Sequence, residues 1–127
     1  INSMPDSALP TDDITPKLVA IVGDEYVITD EAERRVYSND IFFWEDAATA
    51  DVVVQPGSPE EVRELVKIAE ELDLNISTRG GGMSYTKGYV PAESGCMLVD
   101  LRRLNRIREI NVTDRYVVVD AGCTWIS

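Results

Sequence analysis

Residues 79–91, RGGGMSYTKGYVP, are the part of this chain best suited to bind a ligand. The three consecutive glycines leave backbone N–H groups open to approach, because no Cβ covers them. Successive amides of this kind can form a concave nest for an anion. Diphosphate is the candidate ligand, since hydrogen bonds to ionised oxygens are strong even when the donors are neutral. The polar and aromatic residues around the glycines favour a structured loop over a flexible linker.

The composition of the chain limits its partners and its chemistry. Its 127 residues carry a net charge of −11 and include no histidine. The negative charge disfavours nucleic acid and anionic membranes as partners. The lack of histidine removes Ser-His and Cys-His catalysis and the commonest zinc ligand. We therefore predict no catalytic residue within this segment, no metal site, no nucleic-acid partner and no membrane span.

The two cysteines, Cys96 and Cys123, lack the spacing of metal ligands and lie among apolar residues. Free cysteine in such surroundings usually behaves as a small core residue, although a disulfide remains an alternative. The sequence shows no basic, apolar leader of the secretory type. A cytoplasmic location is therefore the expectation.

The elements that must position the glycine-rich loop begin at residue 51. Val52–Val54 is a β-branched run typical of a strand buried on both faces. A helix is predicted over residues 59–72, with Ser58 as its N-cap and Glu61 completing a capping box. Residues 75–78 form a second strand, which gives a βαβ unit with parallel strands. The glycine-rich loop follows at the carboxyl end of that strand, where ligands bind in open α/β sheets.

One further strand and a hairpin complete the predicted fold. A third strand is expected over residues 97–99, and residues 107–112 and 116–121 are predicted to pair as a hairpin. The fold class is therefore α+β, of an α/β-like kind, with a small parallel βαβ sheet, flanking helices and a terminal β-hairpin.

Residues 14–50 are predicted to be a helical lead-in to this domain. One helix is expected over residues 14–22, and a second is expected to run to Tyr37 from a cap at Thr29 or Asp30. The aromatic residues 41–44 are interpreted as a hydrophobic anchor to the core rather than as a binding surface. Residues 1–13 are assigned to a tag remnant (residues 1–3) and a flexible N-terminus.

The glycine pattern matches neither of the two best-known nucleotide-binding loops. Lys87 and Gly88 lack the GK[ST] ending of a P-loop, and the run is not the G-x-G-x-x-G of the Rossmann fingerprint. Four elements in order nevertheless resemble the N-terminal half of the FAD-binding domain of the vanillyl-alcohol oxidase and p-cresol methylhydroxylase superfamily. They are VVQP with the capped helix, the loop at 79–91, VDLRRL at 99–104 and DAGCTW at 120–125. The sequence looks most like the FAD-linked oxidases related to glycolate oxidase and D-lactate dehydrogenase.

The resemblance implies that the glycine-rich loop binds the FAD diphosphate through backbone amides. The implied contacts are Gly80, Gly81, Gly82, Met83 and Ser84. The Ser84 hydroxyl is a further donor. Arg79 either pairs with a phosphate or bonds the carbonyls of the loop.

Other residues are implied to lie along the rest of the cofactor. Tyr85, Gly88 and Tyr89 are expected near the isoalloxazine or ribityl part, and simple loop packing is the alternative for both tyrosines. Pro56 ends a strand that lines the cofactor in relatives.

Two positions depart from the family pattern. Some relatives attach the flavin through a histidine where this chain has Met83, and a thioether cannot form that bond, so FAD is expected to bind non-covalently. Many relatives have glycine where this chain has Lys87. A left-handed backbone would be strained at a lysine. The loop is therefore expected either to differ locally or to bring the lysine to a phosphate.

The resemblance implies the FAD-binding segment of a flavin-dependent oxidoreductase that oxidises a 2-hydroxy acid or related alcohol by hydride transfer to FAD. Residues 51–127 are expected to be the N-terminal half of the flavin domain of a truncated enzyme, with the substrate domain absent. Alone, the fragment is expected to be inactive, to bind FAD weakly or not at all, and to self-associate through exposed apolar surface. The alternatives are a non-catalytic module that binds another phosphate-bearing ligand or a protein partner, and a structural piece without a ligand.

Overall fold

A computed structural model describes residues 11–126 of the chain, with side chains from residue 14 onward. In chain order, the α-helices and strands are α1 (Thr11–Val22), β1 (Val27–Ile28), α2 (Glu31–Tyr37), β2 (Val52–Val54), α3 (Pro59–Glu71), β3 (Asn75–Arg79), β4 (Cys96–Asp100), β5 (Ile107–Asn111) and β6 (Tyr116–Val119). A short 3-10 helix, Asp24–Tyr26, lies between α1 and β1.

Four strands form one sheet in the order β1-β2-β4-β3. Both β2 and β3 run parallel to β4, so that Val53 and Ser77 lie on either side of Leu98. This confirms the predicted parallel arrangement, although β4 enters between the two strands of the βαβ unit. At the other edge, β1 pairs antiparallel with β2, with Val27 opposite Val54. Two residues are too few to give an alternating pattern, which is why the sequence did not predict β1.

The core of the protein lies on both faces of this sheet. On one face, alternate residues of β2 pack against α1 and α3, through Leu18 and Leu65. On the other face, Val53 and Leu98 are covered by Tyr37 of α2. The continuous apolar run of β2 is therefore explained by burial on both sides. Each such side chain stabilises the fold by about 1.5–3 kcal/mol when it leaves water.

The start of α3 follows the predicted capping chemistry with one change. Ser58 Oγ accepts a hydrogen bond from the Glu61 N–H at 3.2 Å. The Glu61 carboxylate accepts from the N–H of Gly57 at 2.6 Å, one residue earlier than the Ser58 N–H of a capping box. The helix buries Leu65 and Ala69 and ends at Glu71, one residue before the predicted end.

The two helices predicted before residue 38 are present, but the first begins earlier than predicted. α1 starts at Thr11, so residues 11–13, which were assigned to the flexible N-terminus, are helical. The rest of that segment, residues 1–10, lies outside the described residues. α2 is capped by Asp30, whose carboxylate accepts a hydrogen bond from the Glu33 N–H at 2.9 Å. After α2, Ser38 Oγ accepts a hydrogen bond from the Ala50 N–H at 2.8 Å and fixes the chain before β2.

The interpretation of residues 41–44 as an anchor in the core is wrong. Ile41, Phe42 and Phe43 are 54%, 53% and 66% exposed, and only Trp44 is half-buried. The place beside Val53 that an anchor would fill is taken by Tyr37. The aromatic residues instead form an exposed turn beside the glycine-rich loop.

The hairpin of β5 and β6 is confirmed, and it stands apart from the sheet. The two strands pair antiparallel, with an irregular register between Ile107 and Glu109. Every residue of β6 is exposed, and so is every residue of β5 except Asn111. Both faces of this two-stranded ribbon therefore leave apolar side chains in contact with solvent.

Both cysteines are free thiols. Cys96 is buried in β4, and burial raises the pKa of its thiol, as expected for a core residue. Cys123 is half-buried. In the part of the chain that the structure describes, no helix has the length and apolar character needed to cross a bilayer.

Candidate functional site

The predicted site residues gather at one edge of the parallel sheet. The carboxyl ends of β2, β4 and β3 lead there to Pro56, Asp100 and Gly80 respectively. The glycine-rich loop begins directly after β3, in the position where open α/β sheets bind ligands. Parallel pairing therefore places the loop beside strand ends that are distant in sequence.

The first half of the glycine-rich loop leaves its backbone N–H groups without partners among the described residues. The N–H groups of residues 80–85 donate no hydrogen bond to any other described residue. Two carbonyls of the same segment are already bonded to protein, because Gly82 O accepts from the Tyr89 hydroxyl at 3.0 Å and Ser84 O accepts from the Ile41 N–H at 3.2 Å. This arrangement suits an anion, which needs donors and is repelled by carbonyl oxygens.

The three glycines of the loop differ in how closely the surrounding protein constrains them. A Cβ at Gly80 would lie 2.7 Å from the Ala121 carbonyl oxygen. Gly82 has a φ of 75°, and its Cβ would collide with the Arg79 guanidinium. A Cβ at Gly81 would meet nothing closer than Thr124 Cγ2 at 3.9 Å, an ordinary contact. The protein's own packing and backbone therefore explain Gly80 and Gly82, whereas no contact with the described residues requires a glycine at position 81.

Ser84 holds the second half of the loop together. Its Oγ accepts hydrogen bonds from the Gly88 N–H at 3.0 Å and the Thr86 N–H at 3.4 Å. The hydroxyl proton remains available to a ligand, because both of these bonds use Oγ as the acceptor. Met83 and Tyr85 project from the loop with 74% and 62% of their surface exposed.

Tyr89 and Arg79 lie beneath the loop. Tyr89 is buried, and its hydroxyl lies within hydrogen-bond distance of the Asn39 and Gly82 carbonyls, at 3.1 and 3.0 Å. Burial raises the pKa of this hydroxyl, despite the opposing charge of Arg79. This arrangement favours loop packing as the role of Tyr89, which was the alternative left open from the sequence.

The Arg79 guanidinium stacks between two aromatic rings. It lies 5.0 Å from the Tyr37 ring centroid and 5.4 Å from that of Tyr89. Its Nε is buried and has no hydrogen-bond partner among the described residues. The cation is therefore held by ring contacts below the loop.

Sequence reasoning missed a buried polar cluster below the site. Asp100, fully buried, accepts hydrogen bonds from Gln55 Nε2 at 2.9 Å and Arg102 Nε at 2.6 Å. The Arg102 guanidinium lies 5.1 Å from the Tyr37 ring, on which Arg79 also stacks. The available signal was a polar residue at the end of each of two buried strands. Pro56, which follows Gln55 in sequence, is fully buried, so its side chain is not exposed at the surface of the site.

The turn after β6 forms a wall beside the loop. Gly122 N–H donates to the Leu104 carbonyl at 2.8 Å, and a Cβ at Gly122 would collide with the Leu101 carbonyl. The same turn brings Ala121 and Thr124 against the glycine triplet. The family resemblance rests in part on the sequence element at 120–125, but the predicted site includes none of its residues.

Two other observations bear on the chemistry. A cavity of about 760 Å³ lies beside α2, lined in part by Glu31, Val36 and Phe43, and it includes none of the predicted site residues. Among the described residues, no group of three His, Cys, Asp or Glu side chains is placed to hold a metal ion. The glycine-rich loop is therefore the candidate site, and its free amides fit the diphosphate of a dinucleotide.

Comparison with known proteins identifies the family. Residues 50–127 match the family model described as FAD binding domain. An uncharacterized FAD-linked oxidoreductase of Mycobacterium tuberculosis is 27% identical over 110 residues, which are 87% of this chain and 24% of that protein. The D-lactate dehydrogenase of Archaeoglobus fulgidus is 35% identical over 78 residues, 61% of this chain and 17% of that enzyme.

The fold agrees with the family match. The crystal structure of p-cresol methylhydroxylase with substrate bound superposes with a TM-score of 0.78 at 24% identity, covering 96% of this chain and 24% of that one. The chain thus spans about a quarter of the length of these first relatives. The resemblance inferred from four sequence elements is confirmed, and the chain belongs to the family of FAD-binding domains.

Proposed function

We propose that this chain is the FAD-binding segment of a flavin-dependent oxidoreductase that oxidises a 2-hydroxy acid or a related alcohol. The observation that carries the proposal is the row of free backbone donors at residues 80–85, at the carboxyl edge of the parallel sheet. The similarity to a D-lactate dehydrogenase supports a 2-hydroxy acid as the substrate class. Bound FAD supplies the ring that accepts the hydride, and the protein holds and orients it.

In this proposal the loop binds the diphosphate through backbone amides, one hydroxyl group and one nearby positive charge. The amides of Gly80, Gly81 and Gly82, with those of Met83 and Ser84, donate to the diphosphate oxygens, and the Ser84 hydroxyl adds a further donor. Arg79 places its guanidinium beside Gly82, where it would collide with a Cβ on that glycine. Charges in a partly buried position act over several ångströms. Arg79 therefore favours the anion without leaving its two tyrosine rings.

The flanking residues have separate proposed roles. Tyr85 and Gly88 lie toward the ribityl and ring end of the cofactor, and Pro56 supports the loop from below. Tyr89 acts by fixing the Gly82 carbonyl rather than by touching the cofactor. Met83, in the position of the family's histidine, leaves FAD non-covalently bound.

Gly81→Val tests the placement of the diphosphate. A side chain at Gly81 fits the unliganded protein, since its Cβ would meet only Thr124 Cγ2 at 3.9 Å. It would, however, project to the surface from which the diphosphate approaches. We expect the full-length variant to lose its flavin and to keep its fold. The measurement is flavin absorbance retained after gel filtration, with circular dichroism to follow folding.

Ala92→Val is the matched control, because it introduces the same residue at an exposed position just after the glycine-rich loop, before β4. It should retain flavin like the unchanged protein. A full complement of flavin in Gly81→Val would show that the loop is not the diphosphate site. Anaerobic reduction of the bound flavin by D-lactate, but not by a simple primary alcohol, would support the substrate class. Reduction by neither would contradict it.

A further inference from the structure

The exposed aromatic turn after α2, residues 39–46, is fastened to the glycine-rich loop. Tyr89 of the loop reaches the Asn39 carbonyl at 3.1 Å, and the Ile41 N–H donates to the Ser84 carbonyl at 3.2 Å. The Lys87 N–H donates to Asp40 Oδ2 at 3.0 Å. These bonds join two segments more than 40 residues apart in sequence. The shape of the loop therefore depends on a segment that precedes residue 50.

Asp40 is the centre of this connection. Its Oδ1 accepts hydrogen bonds from the Phe42 N–H at 2.9 Å and Trp44 Nε1–H at 2.8 Å, which close the aromatic turn. Its Oδ2 accepts from Lys87 of the loop. Partial desolvation raises the pKa of this carboxyl, but the three hydrogen bonds outweigh it and hold the pKa below its usual value. Oδ1 thus bonds within the aromatic turn, whereas Oδ2 bonds to the glycine-rich loop.

Lys87 needs such support. Its φ of 60° lies in the left-handed region, which is unfavourable for a residue with a Cβ. A conformation of this kind persists only when the surroundings fix it. Besides the bond to Asp40, the ammonium lies 3.2 Å from Asp46 Oδ1 and 4.4 Å from the Trp44 ring centroid. Lys87 thus adopts the left-handed backbone itself, and its ammonium contacts the aromatic turn.

We propose that Asp40 is a positioning residue for cofactor binding, acting through Lys87. By holding Lys87 left-handed, Asp40 directs the next amide, that of Gly88, toward Ser84 Oγ at 3.0 Å. Ser84 in turn lies within the row of free donors at residues 80–85, so its position affects that row. The inference rests on the proposed function, because it assumes that these donors bind the diphosphate. It also makes the lead-in part of the cofactor site, although the family match begins at residue 50.

Asp40→Asn in the full-length protein separates the two roles of the carboxylate. The amide oxygen can still accept from Phe42 and Trp44, whereas the NH₂ group faces the Lys87 N–H as a second donor. Asp46→Asn is the matched control, because it alters only the exposed contact with the Lys87 ammonium. Affinities for FAD, ADP and riboflavin are measured by titration calorimetry. Hydrogen exchange at the Lys87 amide is followed without ligand.

We expect Asp40→Asn to lower the affinities for FAD and ADP by roughly 10-fold, the size expected for the loss of a hydrogen bond. Riboflavin, which has no diphosphate, should be unaffected, and the Lys87 amide should exchange faster. Asp46→Asn should match the unchanged protein. Adding Lys87→Gly to Asp40→Asn should restore part of the FAD affinity, since glycine adopts a left-handed backbone without strain.

Two results would overturn the inference while leaving the proposed function intact. One is unchanged affinity of Asp40→Asn for FAD and ADP. The other is an equal loss for FAD, ADP and riboflavin that Lys87→Gly does not restore, which would make Asp40 a purely structural residue. If the unchanged protein binds no FAD, the proposed function fails and this inference falls with it.

Discussion

The tripeptide Val-Val-Val occurs twice in this protein, in two opposite environments. In β2, residues 52–54 are at most 1% exposed, whereas in β6 residues 117–119 are 44–48% exposed. The first run is covered on both faces, by α1 and α3 on one side and by Tyr37 on the other. The second lies in a two-stranded ribbon without either cover. Burial is thus decided by the layers around a strand and not by its own residues.

The exposed run belongs to a larger apolar surface. Ile107, Ile110 and Val112 lie on the same hairpin, and Trp125 and Ile126 follow it with their side chains fully exposed. Apolar surface of this extent usually marks a contact with other protein. The comparison therefore predicts that substitutions in the sheet alter folding, whereas substitutions in the hairpin alter association.

The largest expected effect on folding comes from a truncation in the sheet. Leu98→Ala removes a fully buried side chain from the central strand and leaves a cavity. We expect it to lower the free energy of unfolding by about 2–5 kcal/mol. Ile110→Ala, at a hairpin position that is 67% exposed, should stay within about 0.5 kcal/mol. Urea denaturation of both variants measures the difference, and equal losses would contradict the division between the two regions.

A smaller effect is expected at the start of α3, the helix that covers β2. Ser58→Ala removes the acceptor of the Glu61 N–H and should cost about 1 kcal/mol of stability. Ser58→Asp keeps an acceptor at the cap and serves as the control. Thermal unfolding followed by circular dichroism compares them, and an unchanged midpoint in Ser58→Ala would show that the cap does not stabilise the sheet.

The smallest effect on unfolding, with a clear effect on association, is expected in β6. Val118→Lys places a charge on the exposed hairpin and should change the unfolding free energy by less than about 0.5 kcal/mol. We expect it to reduce self-association of the 127-residue chain, measured by light scattering over a range of concentrations. Val66→Lys, on the exposed face of α3, is the matched control. Equal reductions by both would show that the effect is due to net charge.

Local patterns were sufficient to predict much of the fold. The β-branched run of β2, the Ser58–Pro59 start of α3 and the Thr-Asp-Arg turn of the hairpin each act within a few residues. The glycine triplet likewise predicted the free amides of the loop. These features can be predicted from nearby residues, because caps, turns and alternation are local interactions.

The support of the site could not be predicted in the same way. Asp40 meets Lys87 across 47 residues, and Gln55 meets Asp100 across 45. No spacing rule relates such pairs, since only the tertiary fold brings them together. The aromatic turn was misinterpreted for a similar reason. Its hydrophobicity suggested burial, but the available place in the core was already occupied by Tyr37.

The position of β4 between β2 and β3 also governs how the chain can fold as it is synthesised. The central strand is the last of the four to leave the ribosome, because it follows β1, β2 and β3 in sequence. Until residues 96–100 emerge, β2 and β3 have no parallel partner, and the edge of β2 that pairs with β4 is open. Pairing between distant strands is intrinsically slow, because a long loop must close first. We therefore expect the nascent chain to pass through a stage in which a strongly apolar strand with one open edge is accessible to chaperones and to other nascent chains.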